Sequence, residues 1–253
     1  MVINNNLSEA LKILVIKAGL EILKVYKKPF GKKLKNDNSP VTKADLISNH
    51  IICKGLKKLC PEIEIVSEEN INKPARKNSL FWLVDPLDGT KEFIKKNGEF
   101  TVNIGLIKNG KPIYGIIYMP VSKELYFTEN KNSYYGKVGR NNKLTKKNKI
   151  KIKKRSKNIL ALSRSHIKKI DLKIILKKFN ANKIIHSGSS IKICYVAHGK
   201  ANIYPRLGTT MEWDIAAGDA ILRNAGGKIK TLDGKVLKYG KKEFKNKSFI
   251  ARS

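Results

Sequence analysis

The chain has 253 residues, enough to bury a full core as one large unit or two closely joined ones. Its 53 Lys and Arg against 20 Asp and Glu give a formal charge of +33, yet 46 of the basic residues are Lys and 7 are Arg, spread along the whole chain with no Arg-rich or aromatic-interleaved block, which argues against a specific nucleic-acid module. Three cysteines in no metal or redox spacing, four histidines without a ligand pair on one helical face, and charges inside the first apolar pattern argue against zinc, a signal peptide and a membrane span, so the expectation is a soluble, cytoplasmic protein.

Leu7, Ala10, Leu11, Leu14, Ala18 and Ile22 recur at helical spacing and predict an amphipathic helix over 7–27, ended by Pro29 and Gly31. Thr42 and Asp45 stand in Thr-x-x-Asp spacing ahead of Ile47, Ile51, Ile52, Leu56 and Leu59, the pattern of a second, capped helix. There Asp45 has a sufficient structural role, favouring the helix dipole, and spacing alone leaves any chemical role open. After Pro61, residues 62–66 alternate with period two and run straight into Ser67, Glu68 and Glu69.

Residues 81–90, FWLVDPLDGT, are the centre of the chain. Four apolar residues read as a strand buried on both faces, and Asp85 and Asp88 appear where the apolar run ends. Pro86 fixes φ, Gly89 permits unusual backbone angles, and Thr90 can open a helix, so strand, acidic turn and helix start meet at one point. Two carboxylates about 4 Å apart repel by roughly 4 kcal/mol at an effective dielectric near 20, and a hard cation between them relieves the cost. An acidic surface turn is the competing reading. Against it, nine of the twenty acidic residues fall between Asp45 and Glu99 in a chain that is otherwise strongly basic.

Strands are predicted over 100–107 and 113–118 around the hairpin turn Asn109-Gly110, and 125–127 continues an antiparallel sheet. Residues 129–158, rich in Lys, Asn and Gly, read as an exposed hairpin or loop region where two halves meet, with a boundary near 155. The second half alternates strand and helix: 159–162, a helix around 168–178, 183–185, a helix over 191–197, a strand at 203–205, and a helix over 215–225 stopped by Gly226-Gly227. Polar runs follow the strands, Ser163 to His166 after one and Ser187 to Ser190 after the next, where each could hold a ligand or merely cap a helix. Asp214 likewise could be only a helix N-cap.

Taken together, Glu68, the DPLDGT stretch and Trp213-Asp214 resemble the inositol monophosphatase family of Mg²⁺-dependent, lithium-sensitive phosphatases, over nearly the whole chain. Within it, DPLDGTKEFIKKNGEFTVNIGLI, SRSH, and GSS with YPRLG and EWD downstream are similar to the 3′(2′),5′-bisphosphate nucleotidases, and Glu92 stands where an inositol or fructose phosphatase is expected to have Asn. The resemblance implies an α/β fold, mixed α+β, built as a layered αβαβα sandwich. One compact catalytic unit would combine an N-terminal α+β subdomain, 1–155, carrying most metal ligands with a C-terminal α/β subdomain, 156–253, carrying nucleotide contacts and the last ligand.

It further implies Glu68, Asp85, Asp88, Asp214 and the Leu87 carbonyl as ligands of two or three Mg²⁺, and Asp45 with Thr90 as the pair that orients the attacking water. The N–H groups of Gly89 and Thr90 would hold phosphate oxygens; Glu68, Leu87, Asp88 and Asp214 would also meet the substrate. Ser163, His166, Gly188 and Lys192 match positions that hold the adenosine and 5′-phosphate, with Ser189 and Ser190 as hydroxyl contacts where the stretch departs from the family's Gly-Ala-Gly-Asn-Lys. The implied reaction is hydrolysis of adenosine 3′,5′-bisphosphate to AMP and phosphate in sulfate assimilation and nucleotide recycling. The alternatives are an inositol monophosphatase or broad sugar phosphatase and, outside enzymes, a basic RNA- or membrane-binding protein. The charge also admits peripheral association with the anionic cytoplasmic face of the inner membrane, and the sequence leaves the oligomeric state open.

Overall fold

The computed structural model describes residues 3–34, 40–70, 80–152, 158–164 and 169–253. Helix α1 (Asn5–Tyr26) starts at Asn4, whose side chain accepts the Leu7 N–H at 2.9 Å. A ribbon of β1 (Lys32–Leu34) and β2 (Pro40–Thr42) leads to α2 (Lys43–Leu59), which opens on the capping box of Thr42 and Asp45. Strands β3 (Glu64–Ser67) and β4 (Phe81–Asp88) pair in parallel, and the five-residue helix α3 (Thr90–Ile94) follows. Next, β5 (Thr101–Lys108), β6 (Lys111–Met119), β7 (Glu124–Glu129), β8 (Asn132–Val138) and β9 (Leu144–Ile150) extend the same sheet as an antiparallel meander, giving seven strands in sequence order. The β5–β6 turn is the expected one, with Asn109 at φ 52° and Gly110 at φ 71°.

The remainder comprises β10 (Asn158–Leu162), α4 (Lys169–Lys178), β11 (Ala181–His186), α5 (Ile191–Ala197), β12 (Ile203–Arg206), β13 (Thr210–Met211), α6 (Glu212–Asn224), β14 (Lys228–Thr231), β15 (Lys245–Asn246) and β16 (Phe249–Arg252). Its main sheet runs β11-β10-β12-β16-β14, parallel around β10 and antiparallel around β16, while β13 and β15 form a small ribbon.

Alternation along β4 explains the layering. Trp82 and Val84 pack with Leu11, Val15, Ile52 and Leu56 of α1 and α2, whereas Phe81 and Leu83 point the other way, into a core shared with Ile193, Ile221 and Leu222 of α5 and α6. Phe249 and Ala251 of the second sheet close that core, and Ile175 and Phe179 of α4 cover the sheet's far face through Leu160, Leu162 and Ile203. The order is therefore helices, seven-stranded sheet, helices, five-stranded sheet, helix: the αβαβα sandwich. Burial of each such Leu, Ile or Phe stabilises the fold by roughly 2 kcal/mol. The α6 helix lies unusually close to the first sheet, because a Cβ on Gly115 would fall 2.2 Å from the Ala217 carbonyl oxygen.

Of the two readings of 129–158, the hairpin holds: β8 and β9 pair antiparallel and extend the first sheet, and β9, LTKKNKI, is nearly all exposed, its polar sequence that of a lysine-protected edge. Two expectations change. Asp214 is the third residue of α6 and not its N-cap, and accepts the Met211 N–H at 2.9 Å. Ser190 flanks α5 without capping it, its hydroxyl bonding instead to Asn103 at 3.0 Å. The proposed boundary near 155 falls outside the described residues.

Candidate active site

β4 does not stop at Val84. Asp85 pairs with Asn103 and Asp88 with Thr101 of β5, so β4 carries one residue more than its partner and bulges between them. Pro86 has no N–H for the ladder; its carbonyl accepts the Ser48 hydroxyl of α2 at 2.7 Å, and the Leu87 N–H turns back to donate to Asp85 Oδ1 at 3.1 Å. Gly89 then takes φ 94°, which reverses the chain into α3. In this way the acidic turn is held from the α2 side and by its own first carboxylate.

Asp85 is buried, and burial together with the charges of Glu68, Asp88, Asp214 and Asp45 pushes its carboxyl well above the usual range. Asp214 is pushed the same way by burial and by Asp88 and Glu68, against the smaller help of the Met211 N–H and Arg206. Glu68 reaches the cluster from the end of β3, where its N–H bonds the Val84 carbonyl at 3.1 Å. Carboxylates from the end of β3, from β4 and from α6 therefore converge on the buried Asp85. Among the described residues no three acidic, His or Cys side chains are drawn together tightly enough to enclose an ion outright, as mutual repulsion of like charges favours. The donor set, carboxylates with main-chain carbonyls and no thiol or imidazole, suits a hard divalent cation, and the uncompensated repulsion around Asp85 is what such a cation relieves.

Asp45 divides its two oxygens between two tasks. Oδ2 accepts the Thr42 N–H at 2.8 Å and the Thr42 hydroxyl at 2.6 Å, closing the helix cap. Oδ1 accepts the Thr90 hydroxyl at 3.2 Å, and the same hydroxyl lies 3.4 Å from the Leu87 carbonyl. Burial raises the Asp45 carboxyl, partly offset by the Thr42 bonds, which makes it a stronger base than an exposed aspartate. The structural and chemical readings of Asp45 are thus compatible.

The loop before α5 faces this turn. Ser189, at φ 53°, donates its hydroxyl to Asp88 Oδ2 at 2.7 Å; the same oxygen accepts the Ser190 N–H at 2.5 Å and the Asn103 side-chain amide N–H at 3.4 Å. Gly188 leaves no room for a side chain, since its Cβ would sit 2.6 Å from Glu92 Cγ and 2.9 Å from the Glu99 carbonyl oxygen. Its N–H donates to Glu99 Oε2 at 2.8 Å, and Arg164 grips the Glu99 carboxylate with two N–H groups at 2.9 and 2.6 Å. Burial works against the Glu99 anion, but Arg164 and Gly188 hold its pKa below the usual value.

Lys192 is buried, donates to the Ser187 and Ser189 carbonyls at 3.1 and 2.6 Å, and lies 5.3 Å above the Tyr204 ring; burial pushes its pKa down to about 8. Asp88, Gly89, Ser163, Ser189, Lys192 and Asp214 all line one open cleft. His166 lies outside the described residues. Sequence reasoning missed Glu99 and Arg164 as the clamp on this loop, and the parts of Asn103 and Arg206, although all four stood in stretches it had singled out; Thr210 carried no motif.

An αβαβα sandwich in which carboxylates gather at one cleft, with oxygen donors only, fits a metal-dependent phosphatase. The chain belongs to the inositol monophosphatase family, whose family model matches residues 4–253. It is 45% identical over 241 residues to the 3′(2′),5′-bisphosphate nucleotidase CysQ of Buchnera aphidicola subsp. Acyrthosiphon pisum, covering 92% of this chain and 89% of the relative. The CysQ of Escherichia coli K12 is 41% identical over 237 residues, covering 92% and 94%. Among solved structures, CysQ from Bacteroides thetaiotaomicron, a bacterial member of the inositol monophosphatase family, superposes with a TM-score of 0.79 at 40% identity and covers 97% of both chains.

Proposed function

We propose that the chain is a 3′(2′),5′-bisphosphate nucleotidase that converts adenosine 3′,5′-bisphosphate to AMP and phosphate, using two or three Mg²⁺ per active site. The observation that carries this reading is the buried Asp85, on which the charges of Glu68, Asp88 and Asp214 converge, with Asp88 and Asp214 lining a cleft that Lys192 also lines. The relatives that cover nine-tenths of the chain bear the same activity in their names.

Glu68, Asp85, Asp88, Asp214 and the Leu87 carbonyl would hold the ions. When bound, these supply Lewis-acid activation of water and neutralise charge on the leaving oxygen. Asp45 Oδ1, with its partner oxygen fixed by Thr42, is placed to take the proton of the attacking water, and the Thr90 hydroxyl orients that water. The water oxygen bonds to phosphorus as the bond from phosphorus to the ribose 3′-oxygen breaks in line. The N–H groups of Gly89 and Thr90 steady the phosphate oxygens as charge shifts. Ser163, His166, Gly188, Ser189 and Lys192 form the nucleotide side.

Domain roles follow the same division, with residues 1–155 supplying most ligands and 156–253 supplying the nucleotide wall and Asp214. No helix among the described residues is long and apolar enough to cross a membrane. The enzyme acts in the cytoplasm, its positive charge serving as solvated surface, and any contact with anionic lipid is peripheral and lost at physiological salt.

The test is phosphate release from adenosine 3′,5′-bisphosphate, inositol 1-phosphate and fructose 1,6-bisphosphate, with Mg²⁺, with EDTA, and in matched LiCl and NaCl. The bisphosphate nucleotide is hydrolysed fastest, only with Mg²⁺, and lithium inhibits. Equal or higher kcat/KM on inositol 1-phosphate transfers the assignment to that branch of the family.

A further inference from the structure

The carboxylate of Glu99 joins three segments that are far apart in the chain. Its Oε2 accepts the Gly188 N–H at 2.8 Å and the Arg164 Nε–H at 2.9 Å, and its Oε1 accepts from Arg164 Nη2 at 2.6 Å. Strands β10 and β11 run in parallel, and the Ser187 N–H extends their ladder by bonding the Leu162 carbonyl at 3.0 Å, so Arg164 and Gly188 leave the second sheet side by side at one end. Glu99 meets them from the entry to β5 of the first sheet, its own N–H fixed by Asn97 Oδ1 at 3.0 Å. Its main chain is wedged between the acidic turn and the loop before α5: a Cβ on Gly89 would fall 3.0 Å from the Glu99 carbonyl oxygen, and one on Gly188 would fall 2.9 Å from it.

What this carboxylate holds is strained. Ser189 follows Gly188 at φ 53°, a conformation that L-residues avoid and that persists only where the surroundings fix it. On one side stands the bond from the Gly188 N–H to Glu99, and on the other the Ser189 hydroxyl meets Asp88 Oδ2 and Thr101 Oγ1, each at 2.7 Å. Held in this way, the loop brings the Ser189 hydroxyl and the Ser190 N–H onto one oxygen of Asp88. The ion pair that anchors it adds little to folding, because the Arg164 and Glu99 side chains are 51% and 20% exposed. Its effect is on geometry.

We infer that Glu99, set by Arg164, is a positioning residue for phosphate release: the pair clamps the loop over 188–190 so that Asp88 meets the metal in one orientation. The inference rests on Asp88 being a metal ligand, as proposed above. Lys192 is placed differently, on α5, whose Ile191, Ile193 and Cys194 are packed into the core, so loss of the clamp frees Gly188 and Ser189 and leaves that cation in place. The clamp therefore acts on the metal side of the cleft and not on nucleotide affinity.

The experiment uses the full chain as wild type, Glu99→Gln, Arg164→Gln and the double variant. Gln at 99 keeps one acceptor but turns amide N–H groups toward the donors of Arg164 and Gly188. At saturating Mg²⁺, Glu99→Gln lowers kcat for adenosine 3′,5′-bisphosphate by about tenfold with KM within about twofold of wild type, the mark of a misaligned site. Arg164→Gln lowers kcat by about fivefold, and the double variant stays within about twofold of Glu99→Gln, since the two residues act as one unit. A second readout needs no turnover: both single variants melt within about 3 °C of wild type in EDTA but need about fivefold more Mg²⁺ for the same rise in Tm.

A raised KM with an unchanged Mg²⁺ requirement assigns the pair to nucleotide binding and overturns the inference. So does a further loss of about fivefold on adding Arg164→Gln to Glu99→Gln, which would mean that Arg164 acts on its own. If Glu99→Gln does not fold, Arg164→Gln, changed at an exposed side chain, decides by the same Mg²⁺ titration. A wild type whose Tm ignores Mg²⁺ sinks the metal reading and this inference with it, whereas a wild type and variants that respond at the same Mg²⁺ concentrations sink the inference alone.

Discussion

Replacing Gly89 by alanine tests whether the acidic turn is held in shape by the loop before α5. At φ 94° a side chain costs about 1–2 kcal/mol, since L-residues avoid the left-handed region. The new Cβ would also lie 3.0 Å from the Glu99 carbonyl oxygen and 3.3 Å from Ser189 Cβ, and neither neighbour is a flexible side-chain end that can swing away. Overpacking of that kind adds about 1–2 kcal/mol, for a total of roughly 2–4 kcal/mol. In a chain of this size the loss lowers Tm by roughly 5–15 °C. Because Gly89 sits between Asp88 and Thr90, a shift of about 1 Å there also costs on the order of 100-fold in kcat. Gly31→Ala is the control, as nothing lies within 4 Å of its added Cβ. Thermal melts and phosphate release on both variants give the answer. A Gly89→Ala protein that melts within about 2 °C of wild type with normal kcat would refute the account of the turn.

Asp214→Asn abolishes most phosphate release but leaves metal-free stability unchanged or higher, since Asn still accepts the Met211 N–H while like-charge repulsion with Asp88 is gone; melts in EDTA and in Mg²⁺ show a larger Mg²⁺ shift for wild type, and a full shift in the mutant would leave Asp214 a helix residue only. Asp85 and Asp214 are both raised above their unfolded values, so the folded metal-free protein binds more protons than the unfolded chain, and their contribution to stability falls as pH rises above about 4. Urea melts in EDTA between about pH 4.5 and 8 read this directly: the slope is shallower in Asp85→Asn and with Mg²⁺ present, and identical slopes in all three would contradict it. Lys192 is lowered, so relative to Lys192→Met the wild type gains stability as pH rises from about 8 toward the unfolded lysine value; a difference that does not vary with pH would show that its charge is not buried.

Much of this was legible in the sequence because the features concerned are local. The helix over 7–27, the capping box of Thr42 and Asp45, the Asn109-Gly110 turn and the helix over 191–197 depend on spacings within a few residues, and the structure matches them within one or two positions. What was not legible depends on partners far along the chain. β9 could not be told from a lysine-rich loop because an edge strand needs no apolar face, and β16 is paired on both sides, between β12 and β14, although its short apolar run gave no boundary signal. At the candidate site, the composition anomaly between Asp45 and Glu99 marked the stretch that holds Asp45, Glu68, Asp85 and Asp88 but not Asp214. The grip of Arg164 and Gly188 on Glu99, and the donors from residues 189 and 190 on Asp88, join positions 65 to 102 residues apart and leave no local trace.

The bonds to Asp88 bear on how the proposed ion site would be held. Oδ2 accepts from Ser189 and Ser190, which belong to the loop between β11 and α5, so the other oxygen is the one Asp88 would turn most readily toward a cation. That remaining oxygen is aimed by a loop rooted in the opposite sheet. A motion that parted the sheets would pull on those two bonds and tilt the carboxylate, so in the proposed site the hold on the ion and the release of the nucleotide would be geared to one movement.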